Sequence, residues 1–308
     1  MHAGLRWNGK LMNFKDIALI VNAKSRKGEH WKDQIDPLCE ELGIDVSRRH
    51  YANDNESFQH ALRAETEANP DLLIVGGGDG TVHSVINHID LAKTTIAVIP
   101  LGTVNNFARS LQIGSRDIKD SMKAIIDGHT KLIHLGKVNG HHFTNLSAIG
   151  VSVKVAQNVS NKSKRILGRL AYYLQGIYEI LTHKSFLCEL EVDDNAVQKF
   201  HTHQIVVAKG KFKGLVRFSA GASVDSGHLT VIIFGRTKRR LVHLKNILYF
   251  IFPGWVRAQP LAITGSRIRI STKPCRAIEV DGEAVSQTPA EFTIEKDALR
   301  VIYKARSS

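Results

Sequence analysis

Cysteine is scarce in this chain of 308 residues: Cys39, Cys188 and Cys275 lie far apart and form no CxxC. That disfavours a disulfide framework and a zinc ribbon, and it fits a reducing compartment. No apolar run reaches the roughly 18 residues of a membrane span. The opening stretch MHAGLRWNGKLMNFKD has no apolar core of a signal peptide. The expectation is a soluble protein of the cytoplasm. The 15 histidines show no HExxH or similar spacing, so none is assigned a metal. Internal repeats and low-complexity stretches are absent, and so are RRM- and KH-like signatures.

Acidic residues are also in short supply. Lys and Arg total 42 against 29 Asp and Glu, a net charge of +13. Residues 1–127 carry 15 basic and 17 acidic side chains, residues 128–278 carry 23 and 6, and residues 279–308 carry 4 and 6. The excess therefore sits entirely in the middle region, at +17. Such a region attracts an anion: nucleic acid, acidic lipid or a phosphorylated substrate. Hydrophobic residues at 43% and charged residues at 23% are an ordinary globular balance, and the length suits two domains.

What is present begins with alternation. IALIV at 17–21, IDVSRRHY, LLIV at 72–75 and TIAVIP at 95–100 read as strands. Between them, apolar residues recur at helical spacing: Trp31, Ile35, Leu38 and Leu42, then Phe58, Ala61 and Leu62, then Val82, Val85, Ile86 and Ile89. Pro37 should kink or restart the first of these helices. Phe107 with Leu111, then Ile118, Met122 and Ile125, mark further helix. The fold class is α/β, with a parallel sheet in an N-terminal nucleotide-binding domain. From about residue 131, short β-rich runs take over, from KLIHLGKV to EFTI and LRVIY, with turn signals at Asn139-Gly140 and Asp193-Asp194-Asn195. They imply a β-rich second domain, an antiparallel sandwich or barrel, interrupted by helices near 162–183 and 238–252. The domains are drawn at 1–133, with 1–15 a loose extension, and at 134–308, whose last strand has the option of returning to the first domain.

The sharpest local signal is Val75-Gly76-Gly77-Gly78-Asp79-Gly80-Thr81-Val82, where a buried strand gives way to a helix. Open α/β sheets bind ligands outside the carboxyl ends of their strands. Glycines let a phosphate approach the backbone, and the N–H groups of a helix start favour an anion. Asp79 would repel bare phosphate but suits phosphate carrying Mg²⁺. A dinucleotide fingerprint would need a third glycine where Thr81 stands, and no P-loop is present. A tight turn would need only one or two glycines. A second loop, Ile99 to Arg109, also follows a strand and opens a helix; Thr103 or Asn105 can cap it. Neighbouring parallel strands should put both loops on one sheet edge, joined by the loop from Asn22 to Gly28 with Lys24, Arg26 and Lys27.

GGGDGTVHSVINHI, IPLGTVNNFARSL and EVDGEAV, in this order, resemble the diacylglycerol kinase catalytic-domain family of soluble bacterial lipid kinases and sphingosine kinase relatives. The likeness runs from VNAKSRKG to LRVIY. It implies an ATP-binding domain, a β-rich lipid-binding domain and a deep cleft between them. Carried over position by position, nucleotide contacts fall on Asn22, on Gly76, Gly77, Gly78, Asp79, Gly80 and Thr81, and on Thr103; Lys24 and Asn105 are placed with them. The proton acceptor falls on Glu283 of Asp281-Gly282-Glu283, with Asp281 in support and Asp79 in the catalytic set. Two departures stand out. Many relatives have Asn-Asp where this chain has Asn105-Asn106. Ser226 stands where many carry an aspartate that helps hold a structural Mg²⁺, which leaves Asp225 as a substitute ligand. Without the resemblance, Asp-Gly is more often a plain β-turn.

A kinase must hold the triphosphate, neutralise charge on the moving phosphoryl group and take a proton from the attacking hydroxyl. The expected activity is therefore transfer of the γ-phosphate of ATP, with Mg²⁺, to a hydroxyl of a lipid such as diacylglycerol. The expected partners are the lipid and an anionic membrane surface on the cytoplasmic side, bound peripherally; no nucleic acid is expected, and a homodimer is left open. Basic clusters at 162–169 and 236–240, and the apolar end of the helix near Trp255, are the membrane-facing candidates. The competing readings are a basic nucleic-acid-binding protein, which explains the charge but not the glycine loops, and a GGDG-type kinase of a soluble substrate.

Overall fold

The structure, a computed structural model, describes residues 14–22, 29–113, 118–150, 184–209, 225–234 and 261–305. It divides into two compact units, Met1–Ile133 with Asp297–Ser308, and His134–Lys296. The helices expected near 162–183 and 238–252 lie outside the described residues, as do Lys24, Arg26 and Lys27.

The first unit alternates strand and helix: β1 (Ile17–Asn22), α1 (Glu29–Glu41), β2 (Arg48–Ala52), α2 (Asn55–Ala68), β3 (Leu72–Gly77), α3 (Asp79–Ile86), β4 (Thr95–Pro100), α4 (Asn106–Ser110) and α5 (Ile118–Asp127). The strands run β2-β1-β3-β4, all parallel. β1, β3 and β4 are buried almost end to end, which is why they read as continuous apolar runs rather than alternating ones. Leu19, Leu72, Ile74 and Ile99 pack with Ile35, Met122 and Ile125 in one core. Pro37 lies inside α1 and does not end it. Asp54 opens α2 with a capping box shared with Ser57, and Asn69 closes it in the left-handed conformation. At the amino end of the sheet, the fully buried Glu65 takes Arg48 and His50, and Arg48 also reaches Asp16.

The second unit is built from β5 (Thr130–Val138), β6 (His141–Phe143), β7 (Leu146–Gly150), β8 (Phe186–Val192), β9 (Gln198–Thr202), β10 (Gln204–Lys209), β11 (Leu229–Phe234), β12 (Leu261–Gly265), β13 (Arg267–Lys273), β14 (Ala277–Val280), β15 (Glu283–Gln287) and β16 (Ala290–Ile302). One sheet runs β12-β11-β10-β7-β14-β15, antiparallel throughout. In the other, β13 pairs antiparallel with the start of β16 and with β8, and β8 with β9. The inward residues of both sheets form one core, including Ile149, Leu190, Val207, Val231, Ile270, Ile278 and Phe292, the arrangement of a sandwich. Asn139-Gly140 and Asp193-Asp194 sit in turns with positive φ, as their composition demands. EFTI and LRVIY, which read as two runs, are one strand, β16; Asp297 inside it has φ 50°. Beyond residue 296 this strand belongs to the first unit, where Val301 pairs parallel with Ile96 of β4.

Candidate functional site

In the first unit β3 and β4 lie side by side, with Gly76 opposite Ile99 and Gly77 opposite Pro100. Both glycine loops therefore leave the same edge of the sheet. A Cβ on Gly102 would lie 2.6 Å from Gly78 Cα and 2.6 Å from Asn105 Oδ1, and one on Gly77 would lie 2.5 Å from the Thr81 side chain. Part of the glycine content is thus set by the close approach of the loops to each other. Asn105, at φ 52°, locks the second loop on itself: its Oδ1 accepts from Gly102 N at 3.0 Å and its Nδ2 donates to Gly102 O at 2.8 Å.

Gly78 is the N-cap of α3 and offers no side-chain cap. The first N–H groups of α3 therefore lack the carboxylate or hydroxyl that usually satisfies such donors. Beside them, Asn22 Nδ2 donates to Thr81 Oγ1 at 3.3 Å, tying the end of β1 to α3. Gly80 is half-buried and Thr103 exposed. An uncapped helix start next to these polar groups can receive a phosphate.

Asp79 has a different local task. Its Oδ2 accepts from Asn106 N at 3.0 Å and its Oδ1 from Phe107 N at 2.9 Å. The first loop thereby caps the helix that follows the second. No group of three or more His, Cys, Asp or Glu side chains suited to a metal occurs among the described residues. Asp225 is exposed, and the neighbouring Ser226 hydroxyl meets the backbone of His228. The described side chains do not assemble a Mg²⁺ cage of their own.

In the second unit, Val280 pairs with Glu283 across a two-residue turn, Asp281-Gly282, with φ 47° and 103°. This is the hairpin geometry for which Asp-Gly is suited, so Asp281 and Glu283 are not neighbours on one straight strand. Asp281 Oδ2 accepts from Thr144 N at 2.7 Å and Thr144 Oγ1 at 3.0 Å, and Oδ1 from Asn145 N at 3.0 Å and Leu146 N at 3.1 Å. It fastens the β14–β15 hairpin to the start of β7. Glu283 is exposed at the head of β15. Glu279, which motif reasoning passed over, is half-buried on β14; burial, and after it the charge of Glu283, push its pKa up. The alternation in Ala277-Ile278-Glu279-Val280 was the available signal: apolar Ile278 and Val280 share one face and Glu279 takes the other.

The family model for the diacylglycerol kinase catalytic domain matches residues 16–138, and that for the YegS C-terminal NAD kinase beta sandwich-like domain matches 146–303. A diacylglycerol kinase of Staphylococcus epidermidis is 34% identical over 284 residues, covering 90% of this chain and 89% of that protein. The chain belongs to the diacylglycerol kinase family. A Staphylococcus aureus diacylglycerol kinase is 31% identical over the same coverage. Family membership makes the chain a phosphotransferase of the kinase class. Among solved structures, a diacylglycerol kinase from Bacillus anthracis aligns with TM-score 0.68 at 23% identity, covering 94% of this chain and 97% of that one. An NAD kinase from Archaeoglobus fulgidus in complex with ATP aligns with TM-score 0.53 at 16% identity, covering 94% and 93%. At those identities the two structures speak for the fold alone: a parallel-sheet first domain and an antiparallel second domain. No helix among the described residues is long and apolar enough to cross a membrane.

Proposed function

We propose that this kinase transfers the γ-phosphate of ATP to a hydroxyl of a lipid such as diacylglycerol. The observation that carries the nucleotide half is the uncapped start of α3 in a glycine loop, at the carboxyl ends of two adjacent parallel strands. Gly76 to Gly80 and Thr81, with Asn22 and Thr103, hold the phosphates through backbone N–H groups and hydroxyls; Lys24 is the basic group we assign to the same task. Mg²⁺ bound to the triphosphate would neutralise part of its charge. Asp79 and Asn105 hold the two loops in register.

The acceptor half rests on the name carried by the relatives and on the exposed Glu283. The lipid O–H gives its proton to the Glu283 carboxylate while its oxygen bonds to the γ-phosphorus. The bond from that phosphorus to the β–γ bridging oxygen breaks, and ADP leaves with the bonding pair. The direct test incubates the protein with γ-labelled ATP, Mg²⁺ and detergent-dispersed diacylglycerol, phosphatidylglycerol, a sphingoid base or a polyprenol. Label should appear in at least one lipid, and Glu283→Gln should lower kcat about 100-fold or more with little change in ATP affinity. Label confined to water-soluble products would refute the lipid acceptor and favour a soluble-substrate kinase. A collapse of ATP affinity with normal kcat at saturation would make Glu283 a nucleotide ligand instead.

A further inference from the structure

Of the arginines among the described residues, three are not exposed: Arg48, Arg269 and Arg276. Arg48 is held by Asp16 and Glu65, and Arg269 by Glu191, Asp194 and Glu291. Arg276 makes no ion pair with a described residue. Its guanidinium carbon lies 5.1 Å from the centre of the buried Phe186 ring, within the range of a cation–π contact. Its Nε is buried with no hydrogen-bond partner, yet the residue as a whole is only half-buried, which leaves a ligand a way in. Burial lowers its pKa, and no carboxylate acts in the other direction. An arginine cannot answer desolvation by giving up its proton, and a desolvated charge without a counter-ion is costly. The backbone beneath it is fixed: Arg276 N donates to Thr288 Oγ1 at 2.9 Å, and Thr288 N donates to Arg276 O at 2.9 Å. The surroundings add charge of the same sign. Lys273 ends β13 and pairs with Leu187, the residue after Phe186, and Lys184 stands two residues before Phe186; both lysines are exposed. Glu189 on β8 is engaged by Lys199.

We propose that Arg276, flanked by Lys184 and Lys273, is a phosphate-binding site of the second unit that takes the oxyanion of a phosphate monoester or diester. The planar fork of an arginine matches a pair of phosphate oxygens, and the stack on Phe186 holds that fork in place before the ligand arrives. The bound phosphate supplies the counter-charge that no described side chain provides. β14 runs from Ala277, next to Arg276, to Val280, next to Asp281, so the fork and the Asp281-Gly282 turn are separated by about 13 Å of strand. On the function proposed above, a phosphate at Arg276 is therefore not the group being transferred to the acceptor beside Glu283. A lipid headgroup and a soluble phosphate ester present the same oxygens.

The site is read at Arg276 itself. In protein labelled with nitrogen-15, the arginine Nε–H signal missing from Arg276→Lys is followed while inorganic phosphate is added, against sodium chloride at matched ionic strength. The signal should move along a saturating curve with phosphate; an equal response to chloride overturns the proposal. Thermal unfolding gives an independent reading. Phosphate should raise the Tm of the wild type more than that of Arg276→Gln, because binding at the nucleotide loops contributes to both alike; the same rise in both overturns the proposal. Sedimentation with phosphatidylglycerol vesicles at low salt separates the sources. If the ligand is a lipid headgroup, Arg276→Gln should bind the vesicles about tenfold more weakly than the wild type, while Arg63→Gln, which removes the same charge from an exposed position on α2, should bind as the wild type does. If Arg276→Gln and the wild type sediment alike while the Nε–H signal saturates with phosphate, the site takes a soluble ester. No arm uses turnover, so the result stands apart from the choice of acceptor.

Discussion

Asp79 offers the clearest test of how the nucleotide loops are held. Its two oxygens bind Asn106 N at 3.0 Å and Phe107 N at 2.9 Å, the first backbone donors of α4. Asp79→Ala removes both acceptors. A hydrogen bond to a charged group contributes roughly 1.5–3 kcal/mol. Asp79 is half-buried, and water can replace part of what is lost, so the lower end applies and the pair comes to about 3 kcal/mol. Asp79→Asn keeps one carbonyl oxygen but turns an N–H₂ toward the other donor, so it should fall between wild type and Asp79→Ala. Guanidinium unfolding followed by circular dichroism reads this order. Asp79→Ala within about 0.5 kcal/mol of wild type, the range of an ordinary surface change, would refute the brace. ATP affinity and transfer rate separate brace from ion ligand. A brace predicts that both quantities follow the stability order; equal loss of rate in Asn and Ala variants of unequal stability would mean that Asp79 also contacts the ion.

Gly102→Ala places a Cβ 2.6 Å from Gly78 Cα; backbone there cannot yield cheaply, so we expect about 1–3 kcal/mol of destabilisation and weaker ATP binding by isothermal titration. Gly140→Ala is the control, since nothing lies within 4 Å of its Cβ and only its φ of +89° is strained; it should leave ATP affinity alone. Burial pushes the Cys39 thiol up to about 11 and the Cys188 thiol up to about 12, whereas Cys275 is exposed. A maleimide at pH 8 should therefore label Cys275 in the native protein and all three cysteines only after unfolding, as mass spectrometry of peptides would show; rapid native labelling of Cys39 would contradict the buried core of the first unit. The basic middle region should bind acidic liposomes at low salt and release them at about 0.5 M, where the screening length is only a few ångströms; equal binding to neutral liposomes at every salt would assign the charge to another partner, nucleic acid first.

The parallel sheet was legible because its strands are buried on both faces and its helices carry helical spacing, so two periodicities alternate along the first 130 residues. The turns at Asn139-Gly140 and Asp281-Gly282 were legible because positive φ restricts the residues that can occupy them. The destinations of the carboxylates were not. Asp79 finds its donors 27 and 28 residues away, and Asp281 finds its own 135 to 137 residues away. No local pattern encodes such pairings, because the register of the sheets sets them. β16 was divided in two because the charged stretch Glu295-Lys296-Asp297 interrupts the apolar pattern, while backbone pairing does not require apolar side chains. Pro37 did not end α1: one missing N–H inside the helix is outweighed by the burial of Ile35 and Cys39 on it.

The carboxylates of the two motifs divide by their partners. Asp79 and Asp281 stand at the centres of the sequence signals, yet each spends its oxygens on backbone N–H groups of another segment. A carboxylate so occupied fixes geometry well, because several donors define its position. Glu283 stands exposed at the head of β15, while Glu279 is half-buried on β14, where burial raises its pKa. On the function proposed above, the aspartates serve structure and Glu283 serves proton transfer. That division also separates their mutational signatures. Asp281→Asn should lower stability, since the amide can accept at only one of the two positions that now serve four donors. Glu283→Gln should lower kcat at nearly unchanged stability, since an exposed side chain carries little packing. If Asp281→Asn folded as stably as wild type and lost turnover like Glu283→Gln, the aspartate would belong to the chemistry, and the division drawn from these hydrogen bonds would fail.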